Sequence, residues 1–320
     1  MITQSKFALI REAVNRDDNL LSVELMCDIA GVSRSGYYNW INSASKRKER
    51  DDKDKSDFEI VLEAYSFRGY WKGARSIYMR LLHTGHVMNL KKIRRLMDKY
   101  GLKCPIRGPN PYRQMARAIK TNAAFPNEVN REFVKGGVRK VLLTDITYIP
   151  YSGSICYLST ILDAFTREVL AYELSMNLMV EFVLKTVDDL IAEHGGTLDD
   201  TTIIHSDQGC HYTSKAFIQK LRDRSFVQSM SRKGNCWDNA PQESFFGHMK
   251  DEIMYYVQEC DSYGKVKSVV DDWIDYYNND RYQWELVKLS PKEYYEYVTT
   301  GIYPLQNVRD PRGPAPHPEV

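Results

Sequence analysis

The feature that most constrains the fold of this chain is a change of texture near residue 140. Three β-rich runs follow it, 141–149, about 154–163 and about 167–174. Turn signals at Tyr151-Ser-Gly-Ser154 and near Phe165-Thr166 separate them. The pattern then alternates. An amphipathic helix near 179–193 ends at Gly195-Gly196 and a strand follows at 201–205. A helix at about 214–223, a short strand at 226–229 and a helix-like stretch from Asp238 complete the run. Three strands in succession, then strand–helix alternation, predict an α/β fold with a mixed five-stranded sheet and flanking helices.

The preceding 140 residues are textured differently. Residues 4–45 read as helical, with Leu21–Ala30, a turn at Ala30-Gly31-Val32 and a second helix opened by Ser33. That is helix-turn-helix punctuation, and it would present Arg34, Ser35, Tyr37 and Tyr38 near the start of the second helix. Residues 46–55 are dense in charge and predict a solvated linker or a helix start. Helices near 57–66 and 74–84 flank a turn at Arg68–Gly73. Another opens after Asn89 and stops at Gly101. In it Leu90, Ile93, Leu96 and Met97 form a buried stripe, while Lys91, Lys92, Arg94 and Arg95 lie off it and suit a DNA backbone. Residues 102–139 lack periodicity, hold four prolines, and predict an extended basic connector that lies along DNA rather than forming a core. The resulting division is 1–45, 46–101, 102–139, the α/β region at 140–300 and a flexible tail at 301–320.

Charge follows the same division. The net charge of +2 over 320 residues conceals +13 in residues 1–140 and −11 in 141–320. A basic half suits a polyanion, and an acidic half can concentrate metal-binding carboxylates. The six cysteines form no CxxC pair and the histidines no HxxxH pair, which argues against a disulfide framework and a cysteine-based zinc site. No apolar run approaches the roughly 18 residues of a membrane span, and the first residues lack a signal-peptide pattern. The expected setting is a reducing cytoplasm.

Three carboxylates stand out in this frame. Asp145 lies in the strand-like run Val141–Ile149, where an isolated charge costs several kcal/mol and needs a partner. Asp207 closes the run Thr202–Ser206 and leads into Gln208-Gly209, a strand end of the kind at which α/β sheets bind ligands. Glu243 follows Asp238, a candidate N-cap, with Pro241 in the first turn. Lys250, seven residues on, shares its helix face and could hold a phosphate. Asp163, by contrast, suits turn capping. Three such carboxylates can converge on a pair of hard divalent cations that clamp a phosphodiester.

The segments Thr144–Tyr148, Ser206–Ser214, Gly234–Gly247, Tyr276–Arg281 and Leu289–Tyr294, in that order, resemble the OrfB-type transposases of two-reading-frame bacterial insertion sequences. The resemblance spans nearly the whole chain. It implies an RNase H-like integrase core whose DDE triad falls on Asp145, Asp207 and Glu243, and the 35 residues between the last two match the family's spacing. It further implies a two-metal Mg²⁺ site, with Mn²⁺ able to substitute, that nicks an element end and transfers the freed strand. Implied partners are the element's terminal inverted repeats, target DNA, further copies of the chain, and the upstream-frame product OrfA. A retroviral-type integrase would carry a zinc domain with paired His and paired Cys, which this chain lacks. A domesticated, silent DNA-binding relative would have a damaged triad, and no triad residue is missing.

Overall fold

A computed structural model describes residues 3–105, 127–129, 132–134, 136–231, 239–308 and 310. By their contacts they form two compact units, Met1–Glu63 and Ala64–Val320. Among the described residues no helix is long and apolar enough to cross a membrane.

The first unit contains helices α1 (Thr3–Val14), α2 (Val23–Ala30) and α3 (Arg34–Asn42), and most of α4 (Ala44–Ser66). Ser22 and Ser33 cap α2 and α3 by accepting from the N–H of Leu25 and Gly36. Gly31 ends α2 in the left-handed region at φ 61°, which a residue without a Cβ adopts freely. Phe7, Ile10, Met26, Cys27 and Tyr37 fill the small core between the first three helices. The charge-dense stretch 46–55 lies wholly inside α4 and is continuous helix, not linker. Its Lys, Arg and Glu side chains favour helix without an apolar face.

In the second unit, α5 (Ala74–His83) and α6 (Leu90–Lys99) pair. Asn89 caps α6 by accepting from the N–H of Lys91, and Leu90, Ile93, Leu96 and Met97 are its buried stripe. The sheet that follows has the order β3-β2-β1-β4-β5. Its strands are β1 (Val141–Tyr151), β2 (Ser154–Asp163), β3 (Val169–Ser175), β4 (Ile203–Ser206) and β5 (Val227–Met230). The first three form an antiparallel meander, while β4 and β5 join parallel to β1.

Helices cover both faces. Leu142 and Ile161 point to the side of α7 (Val180–His194) and α8 (Lys215–Arg222). Leu143, Ile149 and Leu158 point to α9 (Ala240–Gln258) and α10 (Tyr263–Asn279). Alternate residues of one strand therefore feed two cores, each fully buried Leu or Ile contributing about 1.5–3 kcal/mol. The last helix, α11 (Pro291–Thr300), starts with a capping box between Ser290 and Glu293.

Two expectations change here. The end of the expected connector belongs to the core, because Val129 is buried and Phe133 packs beside it; its residues 106–126 lie outside the described set. The start of the expected tail is also tied down. Leu305 is buried, the Tyr303 hydroxyl donates to Val287 O at 2.8 Å, and Asp310 accepts from Lys288 and the Tyr78 hydroxyl. Single apolar anchors in non-periodic segments explain both differences, since they leave no repeating pattern to read. Residues 311–320 lie outside the described set.

Candidate active site

Register brings the two aspartates together. β1 and β4 are parallel neighbours whose last described pair is Leu143 with His205. Asp145 and Asp207 each lie two residues beyond that pair. Asp145 is therefore in the middle of β1 and Asp207 just past the end of β4, on neighbouring strands whose backbones run about 4.8 Å apart. Asp207 folds back on its own turn, Oδ1 accepting from the N–H of Gly209 at 2.8 Å. A Cβ at position 209 would stand 2.9 Å from that oxygen, so a side chain there would push the Asp207 carboxylate aside.

The start of α9 is pinned to the same level of the sheet. Asn239 Nδ2 donates to Asp145 Oδ2 at 3.3 Å. Gln242 Nε2 donates to the hydroxyl of Thr160, which is Asp145's cross-strand partner on β2. Gln242 is fully buried and Glu243, the next residue, is exposed. The helix N-cap is Asn239, and Asp238 lies outside the described residues, so the helix starts one residue later than the sequence suggests. The Asn239 side chain makes no capping bond; its amide holds Asp145 instead. Pro241 sits in the first turn, where its missing N–H has no helical acceptor in any case.

Electrostatics tie these groups into one neighbourhood. The Asp145 carboxyl is pushed up to about 7, chiefly because burial penalises its charge. The Ile146 N–H, donating to Oδ1 at 2.8 Å, pulls it down. The negative charges of Asp207 and Glu243 push it up, and the Lys250 ammonium pulls it down. Asp145 therefore feels both other carboxylates and Lys250 directly. Among the described residues, no three His, Cys, Asp or Glu side chains lie close enough together to enclose an ion. The donor set nonetheless suits a hard cation. It consists of carboxylate oxygens under mutual repulsion, with the Asn239 Oδ1 buried nearby and lacking a hydrogen-bond donor.

Residues 207, 243 and 250 thus all act on the charge of Asp145, and the other candidates lie elsewhere. Lys91, Arg94 and Arg95 are exposed on α6, and Lys92 is half-buried there. Arg34 opens α3 in the first unit and pairs with Glu24 at 3.4 Å, both well exposed. Asp163 is fully buried, accepting from the Phe165 N–H, the Thr166 hydroxyl and Arg139, which is a capping role. Asn239 and Gln242 are the residues that sequence reasoning passed over. Both stand in the segment that carries Glu243, but their use depends on which strand the helix meets.

The comparisons follow this geometry. The Integrase core domain family matches residues 137–236, and a second family of that description matches 243–298. The HTH-like domain family matches 51–110. The chain is 34% identical over 269 residues to a protein of Escherichia coli K12 described as the transposase InsK of insertion sequence element IS150, covering 83% of this chain and 90% of that one. It is 27% identical over 257 residues to one described as the transposase for IS986/IS6110 of Mycobacterium tuberculosis, covering 79% and 91%. Among solved structures, the catalytic core domain of BIV integrase aligns with a TM-score of 0.40 and 16% identity, over 51% of this chain and 98% of that one. That score is too low to add to the assignment, which rests on the sequence relatives. With its five-stranded mixed sheet, its helix-turn-helix start and these relatives, the chain belongs to the OrfB-type insertion-sequence transposases, polynucleotidyl transferases of the DDE class.

Proposed function

We propose that Asp145, Asp207 and Glu243 are the catalytic triad of this transposase and jointly hold Mg²⁺, or Mn²⁺ in its place. The observation that carries the reading is an Asp145 carboxyl raised first by burial and further by the charges of Asp207 and Glu243, a penalty that a bound cation relieves. Bound there, the metal would polarise the scissile phosphodiester and activate the attacking hydroxyl. The chain's own groups do the rest. Asn239 fixes the orientation of the Asp145 carboxylate, and the Gln242–Thr160 bond keeps the start of α9 against the sheet. Lys250 faces the same carboxylates and meets a DNA phosphate. Arg34, Lys91, Lys92, Arg94 and Arg95 contact the DNA backbone, so the helices of residues 1–101 hold DNA while the core at 140–300 reacts. The substrates are the element's terminal inverted repeats and target DNA, engaged by more than one copy of the chain with OrfA as the upstream partner.

The test is strand transfer with Mg²⁺ on DNA carrying the element's ends. Asp145→Asn, Asp207→Asn and Glu243→Gln should each lower the rate about 10³-fold or more, corresponding to several kcal/mol of lost transition-state stabilisation. DNA binding should survive. Near-normal transfer by any one variant would remove that residue from the triad.

A further inference from the structure

On the far side of α9 from the carboxylates lies a groove of about 1190 Å³. Ala240, Pro241, Ser244 and His248 form one wall. At 3.6 residues per turn this wall is centred about 130° around the helix from Glu243 and Lys250. The first turns of α9 are therefore a partition, with the carboxylate cluster on one side and the groove on the other. Its volume exceeds the roughly 300–1,000 Å³ of small-molecule clefts, which suits part of a polymer better than a metabolite.

Two kinds of group in the lining bear on what it would bind, the first aromatic. Phe165 and Tyr294 stack with ring centres 6.0 Å apart, and Trp284 and Tyr282 also line the groove. Arginines are the second kind. Among the described residues, Arg75, Arg167 and Arg281 line the groove against one acidic residue, Glu285. That balance inverts the −11 charge of residues 141–320 as a whole. Arg281 is neutralised by Glu252 at 2.9 Å, and Arg167 reaches Glu285 at 3.7 Å. Arg75 is exposed, lies over the Trp284 ring at 5.9 Å, and is in no ion pair among the described residues.

We propose that this groove binds a short run of single-stranded DNA, the unpaired nucleotides that adjoin the reacting end. Aromatic faces stack bases of any sequence, and guanidinium groups track the phosphates or stack in turn. A strand reacting at Glu243 passes the start of α9, where Ala240 and Pro241 form the rim, and its unpaired neighbours settle against Phe165 and Trp284. The inference rests on the transposase reading of the carboxylate side. It adds a second surface that holds the DNA end melted.

The experiment uses the full chain with EDTA, so that nothing is cut, and a fluorescein-labelled eight-nucleotide oligothymidylate read by anisotropy. Arg75→Gln and Trp284→Phe should each weaken binding about five- to tenfold while leaving the thermal midpoint and duplex affinity unchanged. An oligonucleotide carrying 5-iodouracil should photo-crosslink to Trp284, Tyr282 or Phe165. Undiminished oligothymidylate binding by both variants, or crosslinks only outside the groove, would overturn the proposal. Strand transfer by the wild-type chain with Mg²⁺ is read separately. Its loss beside intact groove binding would count against the triad and not against the groove.

Discussion

At the scale of single residues, Asp145 sets the behaviour of the site. Its carboxyl has an ordinary value of 3.8 unfolded and about 7 in the folded chain, so the metal-free native state holds this proton more tightly. The contribution to stability is therefore present at low pH and lost as pH rises from about 4 to about 7. Asp145→Asn should abolish that loss, and thermal midpoints of wild type and variant between pH 4 and 8 measure it. Parallel curves would show that Asp145 is not strained. For activity the sign reverses, because only the ionised carboxylate can hold a cation. Strand transfer at limiting Mg²⁺ should fall as pH drops through about 7, and saturating Mg²⁺ should move that fall to lower pH. The residue types were legible in the sequence, since a charge between Leu143 and Ile146 needs a partner. The partner's identity was not, because it comes from a neighbouring strand and a distant helix.

Elements explain how such distant residues meet. The α6 stripe could be read directly because burial on one face repeats at a fixed period, and the strand runs because apolar, β-rich stretches stand between turn signals. In α4 the same rule found only the second half, near 57–66; the charge-dense first half, with no apolar face, reads equally as a linker or a helix start until its backbone is seen. The docking of α9 was equally invisible, since Gln242 and Asn239 act through hydrogen bonds to β2 and β1. On α6, Lys91, Lys92, Arg94 and Arg95 lie off the buried stripe, the arrangement suited to phosphate contact. Changing all four to Gln should weaken duplex binding and reduce the slope of log affinity against log salt by up to about 3–4 units, about 0.9 per lost phosphate contact. Titrations between 50 and 200 mM salt measure the slope, and one equal to wild type would place the DNA elsewhere.

Across the whole second unit, a buried ion cluster joins segments that carry the site. Arg139, just before β1, donates to Asp163 at the end of β2 and to Glu168 ahead of β3, beneath the Tyr295 ring of α11. Burial raises the Asp163 carboxyl and Arg139 lowers it, so removing the arginine leaves two acids confined without a counter-charge. Arg139→Met should cost about 3–5 kcal/mol in urea unfolding, and Asp163→Asn in the same chain should restore part of it. A change below about 1 kcal/mol would mean that the cluster relaxes or takes up water. Periodicity and turn chemistry are local properties, so the order of strands and helices, the fold class and the three candidate carboxylates could be derived from sequence alone. The neighbourhood that joins Asp145, Asp207 and Glu243, the groove behind α9 and the cluster under Tyr295 were decided only by tertiary structure. Each depends on which strands pair and in what register, and that is set by side chains far apart in the chain competing for the same two cores.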